Sequence, residues 1–364
     1  MEKKNRISNQ QLKALLVTTV IGIGILSLPS EVAVALNNDG WIAILIGGLI
    51  PVPFIMIMDR LFKMYPKKSY FQITKEVMSP FVAYIFFIVF FIYTIVVIGY
   101  IHRVFAEVIK AYLLENTPIK VILITMLVAV SYAARSRLEV LARVAVMIYP
   151  IILGFPIFLL VVNLPNLDYT NILPIFQLDI KQIPNGIFTA YFAYIGFEIT
   201  TLAFNITEDN TKSVKYTLRG LFTVIGVYLI VFFVTLSQYG VFQLKRGIWP
   251  SIDVIKEVDL PGYFVENLDG IVLAIWVLVV YSSLGPFFHT SGIILKEIFN
   301  TKTHEVFIPF LIPITFVISI IPDNLVVVTK VMARILEYLA FIVSIILPVV
   351  IFIVAYIKKR RVKT

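Results

Sequence analysis

The apolar segment from Leu12 to Leu36 is long enough to cross a bilayer, yet Gly22-Ile23-Gly24 sits at its centre and Pro29 follows. In hydrocarbon every backbone N–H and C=O needs a partner within the protein, so a spanning helix cannot unwind where lipid touches it. Two glycines one residue apart can serve close helix packing. They can also mark a break, which survives only where it lines a cavity or where another group replaces the lost bonds. A second interruption, Tyr194-Ile195-Gly196-Phe197-Glu198, comes about half a chain later. The pair favours breaks over packing.

The remainder of the chain fits a polytopic membrane protein. Of 364 residues 59% are hydrophobic and 15% charged, with long uncharged runs to the end. The spacing predicts ten spans, at 12–36, 41–58, 80–103, 119–134, 143–163, 185–206, 218–239, 269–292, 305–321 and 332–357. Lys3, Lys4 and Arg6 lead directly into a segment too long for a cleavable signal. Most of the 31 basic residues fall on the side of the N-terminus, among them Arg60, Lys68, Arg137, Lys212, Lys296 and the tail Lys358 to Arg361. The positive-inside rule therefore places both termini in the cytoplasm, and the net charge of +9 reflects topology rather than nucleic-acid binding. With no cysteine, structural disulfides and thiolate metal sites are excluded. Two outer loops, 164–184 and 240–268, are apolar enough to form a lid or a docking face, and Ile248-Trp249-Pro250-Ser251-Ile252 is expected at the membrane interface.

This layout gives a cytoplasmic N-terminus (1–11), a first five-helix repeat (12–163), a second (185–357) and a basic tail (358–364). An odd number of spans per half makes the halves enter the membrane in opposite directions. Broken helices at corresponding positions of two inverted halves point to a midplane binding site. Where the helix restarts beyond Gly24, free N–H groups carry partial positive charge and suit a carboxylate. Carbonyls released near Ile195 and Gly196 suit an ammonium group, so the pair matches an α-amino acid, with glycine sparing the space a Cβ would fill. The predicted ligand-binding set is Gly22, Ile23, Gly24, Ile25, Tyr93, Val97, Tyr194, Ile195, Gly196 and Ser282. Tyr93, Val97 and Tyr100 share one helix face, and Tyr281, Ser282 and Ser283 bring hydroxyls to similar depth. Glu198 reads as the only acid well inside a span of the second half, and is expected to brace the unwound backbone of the first span. Glu198, Tyr100 and Tyr281 are assigned structural or gating roles beside the site. The three histidines lack metal-ligand spacing, and the glycine run lacks the lysine and strand of a phosphate loop, so neither metal nor other cofactor is implied.

Gly22 to Pro29 resembles the first-helix signature of the amino acid–polyamine–organocation permeases, and Gly196-Phe197-Glu198 their sixth-helix motif. The full chain resembles the B subunits of the nutrient germinant receptors of bacterial endospores. That resemblance extends through Asp39-Gly40-Trp41, Leu113 to Ile119, Trp249-Pro250-Ser251-Ile252 and Pro322-Asp323. It implies an all-α, leucine-transporter-like fold in the spore inner membrane. It also implies an A subunit and a lipoprotein C subunit as partners, and a small germinant, commonly an amino acid. Some proton-coupled relatives carry a lysine in the fifth span; 144–163 has none, and Arg143 lies at its edge. The expected function is thus a ligand-sensing receptor subunit that triggers germination. A secondary amino-acid transporter and a ligand-gated water or ion conduit are the alternatives. An enzyme is not expected, since no nucleophile–base pair is present.

Overall fold

The computed structural model describes residues 6–177, 179–257 and 268–361. Expectations that fall on 1–5, 258–267 or 362–364, including the far part of the second outer loop, lie outside the described residues. Among those described no strand forms; Ile7 and Thr207 make one isolated parallel bridge. Helices α1 (Asn9–Val20) and α2 (Gly24–Leu36) flank the first break. A turn at Asn37–Asp39 leads into α3 (Gly40–Leu49) and α4 (Pro51–Met64). The short α5 (Tyr70–Val77) precedes α6 (Pro80–Tyr112), α7 (Ile119–Ala134) and α8 (Leu138–Asn163). Helices α9 (Ile183–Phe192) and α10 (Phe197–Ile206) flank the second break at a bend of 52°. Beyond them run α11 (Ser213–Leu244), α12 (Pro250–Lys256), α13 (Leu268–Phe299), α14 (Ile308–Ile320) and α15 (Leu325–Arg360).

Among the described residues six helical runs are long and apolar enough to cross a membrane, or seven if α9 and α10 are one broken span. This count differs from ten for local reasons. Gly24–Met64 is helical for 41 residues but folds back at Asn37, whose φ of 54° is one that asparagine tolerates, so that α2 packs on α3. The apolar helices α7 and α14 are only 16 and 13 residues long.

Burial sorts the helices. Every residue of α1 from Ala14 to Val20 is buried, and the helix packs against α8, α11 and α13. A helix shielded from lipid in this way can break without exposing its backbone to hydrocarbon. The peripheral helices expose apolar rows instead, Val121, Ile124 and Val128 on α7 and Met147, Ile157 and Val161 on α8. Such rows face lipid rather than water.

The two ends of the bundle are tied differently. At the basic end Ser8 and Gln11 form a capping box on α1, with Gln11 N donating to Ser8 Oγ at 3.2 Å and Ser8 N to Gln11 Oε1 at 2.8 Å. Ile7 N donates to Ile206 O and Glu208 N to Ile7 O, both at 3.0 Å, which fastens the base of α1 to the end of α10. Lys75 pairs with Glu297 at 2.9 Å, and Lys359 donates to the Met64 carbonyl. His289 and His304 meet edge to face at 4.4 Å and share the Ala134 carbonyl that ends α7. At the other end the Asp39 carboxylate accepts from Phe176 N and Gln177 N, each at 2.7 Å. Asn38 Nδ2 donates to the carbonyls of Asn171 (3.0 Å) and Leu173 (3.1 Å). Nearby, the Thr170 hydroxyl and then its amide hold the Asp168 carboxyl below the ordinary carboxylate range.

The stretch expected at the membrane interface turns most of its side chains inward: Ile248 is exposed, while Trp249, Ser251 and Ile252 are buried, Ser251 completely, as the start of α12 against α2. The cause is Pro29. Proline has no N–H, so Ile25 O, four residues earlier, loses its helical partner. Ser251 Oγ donates to that carbonyl at 2.8 Å.

Replacing Asp39 by alanine should release two loop amides and destabilise the protein by roughly 1.5–3 kcal/mol, the range of hydrogen bonds to charged groups. The check is thermal unfolding in detergent with limited proteolysis of 164–177. An unchanged melting curve and digestion pattern would show that the pin carries no weight.

Candidate functional site

The first break is short and well defined. Helix α1 ends at Val20, Ile21 is extended (φ −80°, ψ 91°), and α2 begins at Gly24. Two of the released carbonyls find side-chain donors from a neighbouring helix. Ser283 Oγ donates to Thr19 O at 2.8 Å, and Trp276 Nε1 to Gly22 O at 3.2 Å. Tyr228 OH donates to Ala193 O at 2.9 Å and lies 3.4 Å from Val20 O; with a single proton, its bond to Ala193 is the main one. The N-terminus of α2 is different, since no side chain caps it. Its first amides are the unfilled donors of the break.

Gly196 makes the second break. Its φ of +115° lies in the left-handed region, and a Cβ there would stand 2.9 Å from Thr19 O. Glycine is therefore required at this position by conformation and by the close approach of the two broken spans. Gly196 N donates to Glu198 Oε2 at 2.9 Å, while Tyr93 OH donates to Glu198 Oε1. Glu198 thus braces its own break, not the first span as the sequence suggested. Two residues separate it from Gly196, so its carboxylate folds back onto the nearest free amide.

Between the breaks lies a cavity of about 50 Å³. One water needs about 10–15 Å³ on this scale, so the space takes on the order of three to five heavy atoms before any wall moves. Gly22, Ile23, Gly24, Val97, Tyr100 and Ile195 of the predicted residues line it. The others do not. Ile25 faces a separate apolar cavity, Tyr93 serves Glu198, and Tyr194 OH donates to Ile44 O at 2.8 Å. Gly196 packs behind the wall against Thr19, and Tyr281 is half-buried away from the lining. Ser282 Oγ turns to its own helix at Val279 O, whereas Ser283, one residue and about 100° further round, lines the cavity.

Sequence reasoning missed Thr19, Ser27 and Glu31, which also line the space. Gly24, Ser27 and Glu31 follow i, i+3, i+7 spacing, and a carboxylate inside the predicted first span was the signal that could have exposed them. Glu337 lies within the predicted span 332–357, so Glu198 is not the sole acid of the second half. The glycines of the first break also have a different reason from the one expected. Neither has positive φ; a Cβ on Gly22 would meet Ser283 Oγ at 2.7 Å, and one on Gly24 would meet Ala193 Cβ at 3.3 Å. Their smallness serves helix contact rather than ligand space.

Two spans broken side by side around a mostly apolar cavity define a membrane protein of transporter fold. The fold is leucine-transporter-like. It is similar to the nucleobase-cation-symport-1 family transporter MHP1 in a closed conformation, with TM-score 0.70 at 10% identity over 93% of this chain and 76% of that one. It is similar also to MhsT in complex with L-phenylalanine, with TM-score 0.61 at 11% identity over 96% and 89%. The sequence profile of the spore permease family, described as spore germination protein, matches residues 6–328, and the chain belongs to that family. Among its relatives, spore germination protein GerLB of Bacillus cereus is 26% identical over 98% of this chain and 96% of its own. Spore germination protein YndE of Bacillus subtilis (strain 168) is 24% identical over 88% of each.

Tyr93 and Glu198 act as a unit, so Tyr93→Phe and Glu198→Gln should each destabilise the protein while the double variant loses less than their sum. A double-mutant cycle on detergent unfolding should give a coupling of about 0.5–3 kcal/mol. Strict additivity would remove the brace from the account.

Proposed function

We propose that this chain is the ligand-binding membrane subunit of a spore germinant receptor, sensing a small germinant in the cavity between its broken spans. The observation that carries this reading is the asymmetry of the first break. Its Thr19 and Gly22 carbonyls are capped by Ser283 and Trp276, while the uncapped N-terminus of α2 opens at the cavity through Gly24. Preorganised amides with a positive helix end suit the carboxylate of an amino acid. MhsT, of the same fold, was solved with L-phenylalanine bound, which supports an amino acid here. Assembly with an A subunit and a lipoprotein C subunit in the spore inner membrane, with both termini cytoplasmic, completes the proposal. The halves 12–163 and 185–357 are its inverted repeats.

Ligand binding at Gly24 has a route outward. Helix α2 is bonded to α12 through Ile25 O and Ser251, and its end carries Asn38 and Asp39, which hold the first outer loop. A ligand that prefers one position of α2 therefore biases both loops, and about 1.4 kcal/mol of preference shifts the equilibrium tenfold. The solved neighbours include a sodium-coupled sialic acid symporter of TM-score 0.64, which makes coupled transport the competing reading.

Two measurements test this. Single cysteines in this cysteine-free chain should label from outside at Tyr169, which is 63% exposed, and only after permeabilisation at Lys68 and Lys212. Reversed labelling ends the proposed orientation. In a thermal-shift screen of the twenty amino acids at least one should stabilise the protein, since binding raises apparent stability. In sealed vesicles under a sodium or proton gradient, the amino acid that binds should not accumulate. Ionophore-sensitive accumulation would put the transporter first.

A further inference from the structure

We infer that Glu31 is the recognition residue for the positively charged end of the ligand, so that this cavity selects compounds bearing a primary ammonium group. The inference rests on the reading of the cavity as the ligand site and names what that site selects. Among the residues lining the cavity, Glu31 is the one acidic or basic side chain. Ser27, one turn closer to the break, lines the same cavity on the same helix face. No lysine or arginine within the described residues forms an ion pair with Glu31. The charge that acts on it is a second carboxylate, Glu337 of α15. A carboxylate at membrane depth without a protein cation calls for a cation from elsewhere.

Two carbonyls of the second break are already engaged: Ala193 O accepts from Tyr228 OH at 2.9 Å and Gly196 O from Ile199 N at 3.2 Å, with Gly196 itself behind the wall against Thr19. Of the ammonium site expected at Ile195 and Gly196, Ile195 lines the cavity and Gly196 does not. Glu31 is open, and its register is suitable. It lies seven residues beyond Gly24 on the same face of α2, about 10 Å along the axis at 1.5 Å per residue. Helical side chains lean toward the N-terminus, so its carboxylate reaches back toward the amides at Gly24. A small zwitterion suits this arrangement, with its carboxylate on the amides and its ammonium on Glu31.

The test uses L-alanine, propionate and ethylammonium chloride on the purified full chain at neutral pH, with dissociation constants taken from the concentration dependence of the thermal shift. L-Alanine and ethylammonium should each stabilise the wild type. Glu31→Gln, which keeps shape and removes charge, should weaken both at least tenfold and leave its ligand-free melting temperature within a few degrees of wild type. Glu31→Asp should recover part of the affinity. Equal affinity of either amine for wild type and Glu31→Gln overturns the inference, as does a shift given by sodium chloride but not by ethylammonium. If ethylammonium binds in a Glu31-dependent way and no amino acid of the screen does, the inference stands and the amino-acid reading falls. If an amino acid binds equally to both forms, the reading stands and the inference falls. If neither class binds, both fall.

Discussion

The structure depends on the cost of an unpaired carbonyl in a place without water. Such a group costs several kcal/mol in hydrocarbon, and two spans of this protein are unwound at membrane depth. The donors that offset the cost come from three other helices: Ser283 and Trp276 from α13, Tyr228 from α11 and Ser251 from α12. Each donates to backbone rather than to another side chain. The packing of α1 against α8, α11 and α13 follows from the same need, since only a fully enclosed helix can be broken there.

Two devices make the breaks specific rather than merely tolerated. Pro29 deletes one donor within α2 and so reserves Ile25 O for an outer helix, turning a local defect into a contact between the site and the outer loops. Glu198 folds back on Gly196 and is held by Tyr93, which fixes the second break to α6 without help from the first span. Networks of this kind are stiff when every member is satisfied. What stays unfilled is the N-terminus of α2 and the Glu31 carboxylate, both on one wall of one cavity. Binding energy for a charged ligand can come only from groups the fold has left unfilled.

The loop at 164–177 and the segment around α12 act as part of the bundle. Asp39 accepts two loop amides, and α12 seats a completely buried Ser251 against α2. A movement of α2 cannot leave these contacts unchanged, so cavity and outer face are linked by bonded neighbours.

Much of this architecture was legible in the sequence because it rests on local rules. The membrane class follows from apolar runs, the breaks from Gly22-Ile23-Gly24 and Gly196, and the cavity position from the spacing of those breaks. The turn at Asn37–Asp39 and the short α7 fall where the sequence separates its spans, and the lower count of six or seven reflects helix length, since Gly24–Met64 counts as one run and α7 and α14 are short. The site residues divide in the same way. Gly22, Gly24, Val97 and Tyr100 are fixed to the cavity by helical register and depth. Which of Ser282 and Ser283 faces inward, where Glu198 points, and whether Trp249 to Ile252 lie at a surface or inside depend on rotations of whole helices about one another. A single chain read in order carries no record of those rotations. Only tertiary packing set Glu31 against an otherwise uncharged wall and engaged Ala193 O of the second break, because the Tyr228 hydroxyl of a distant helix reached it.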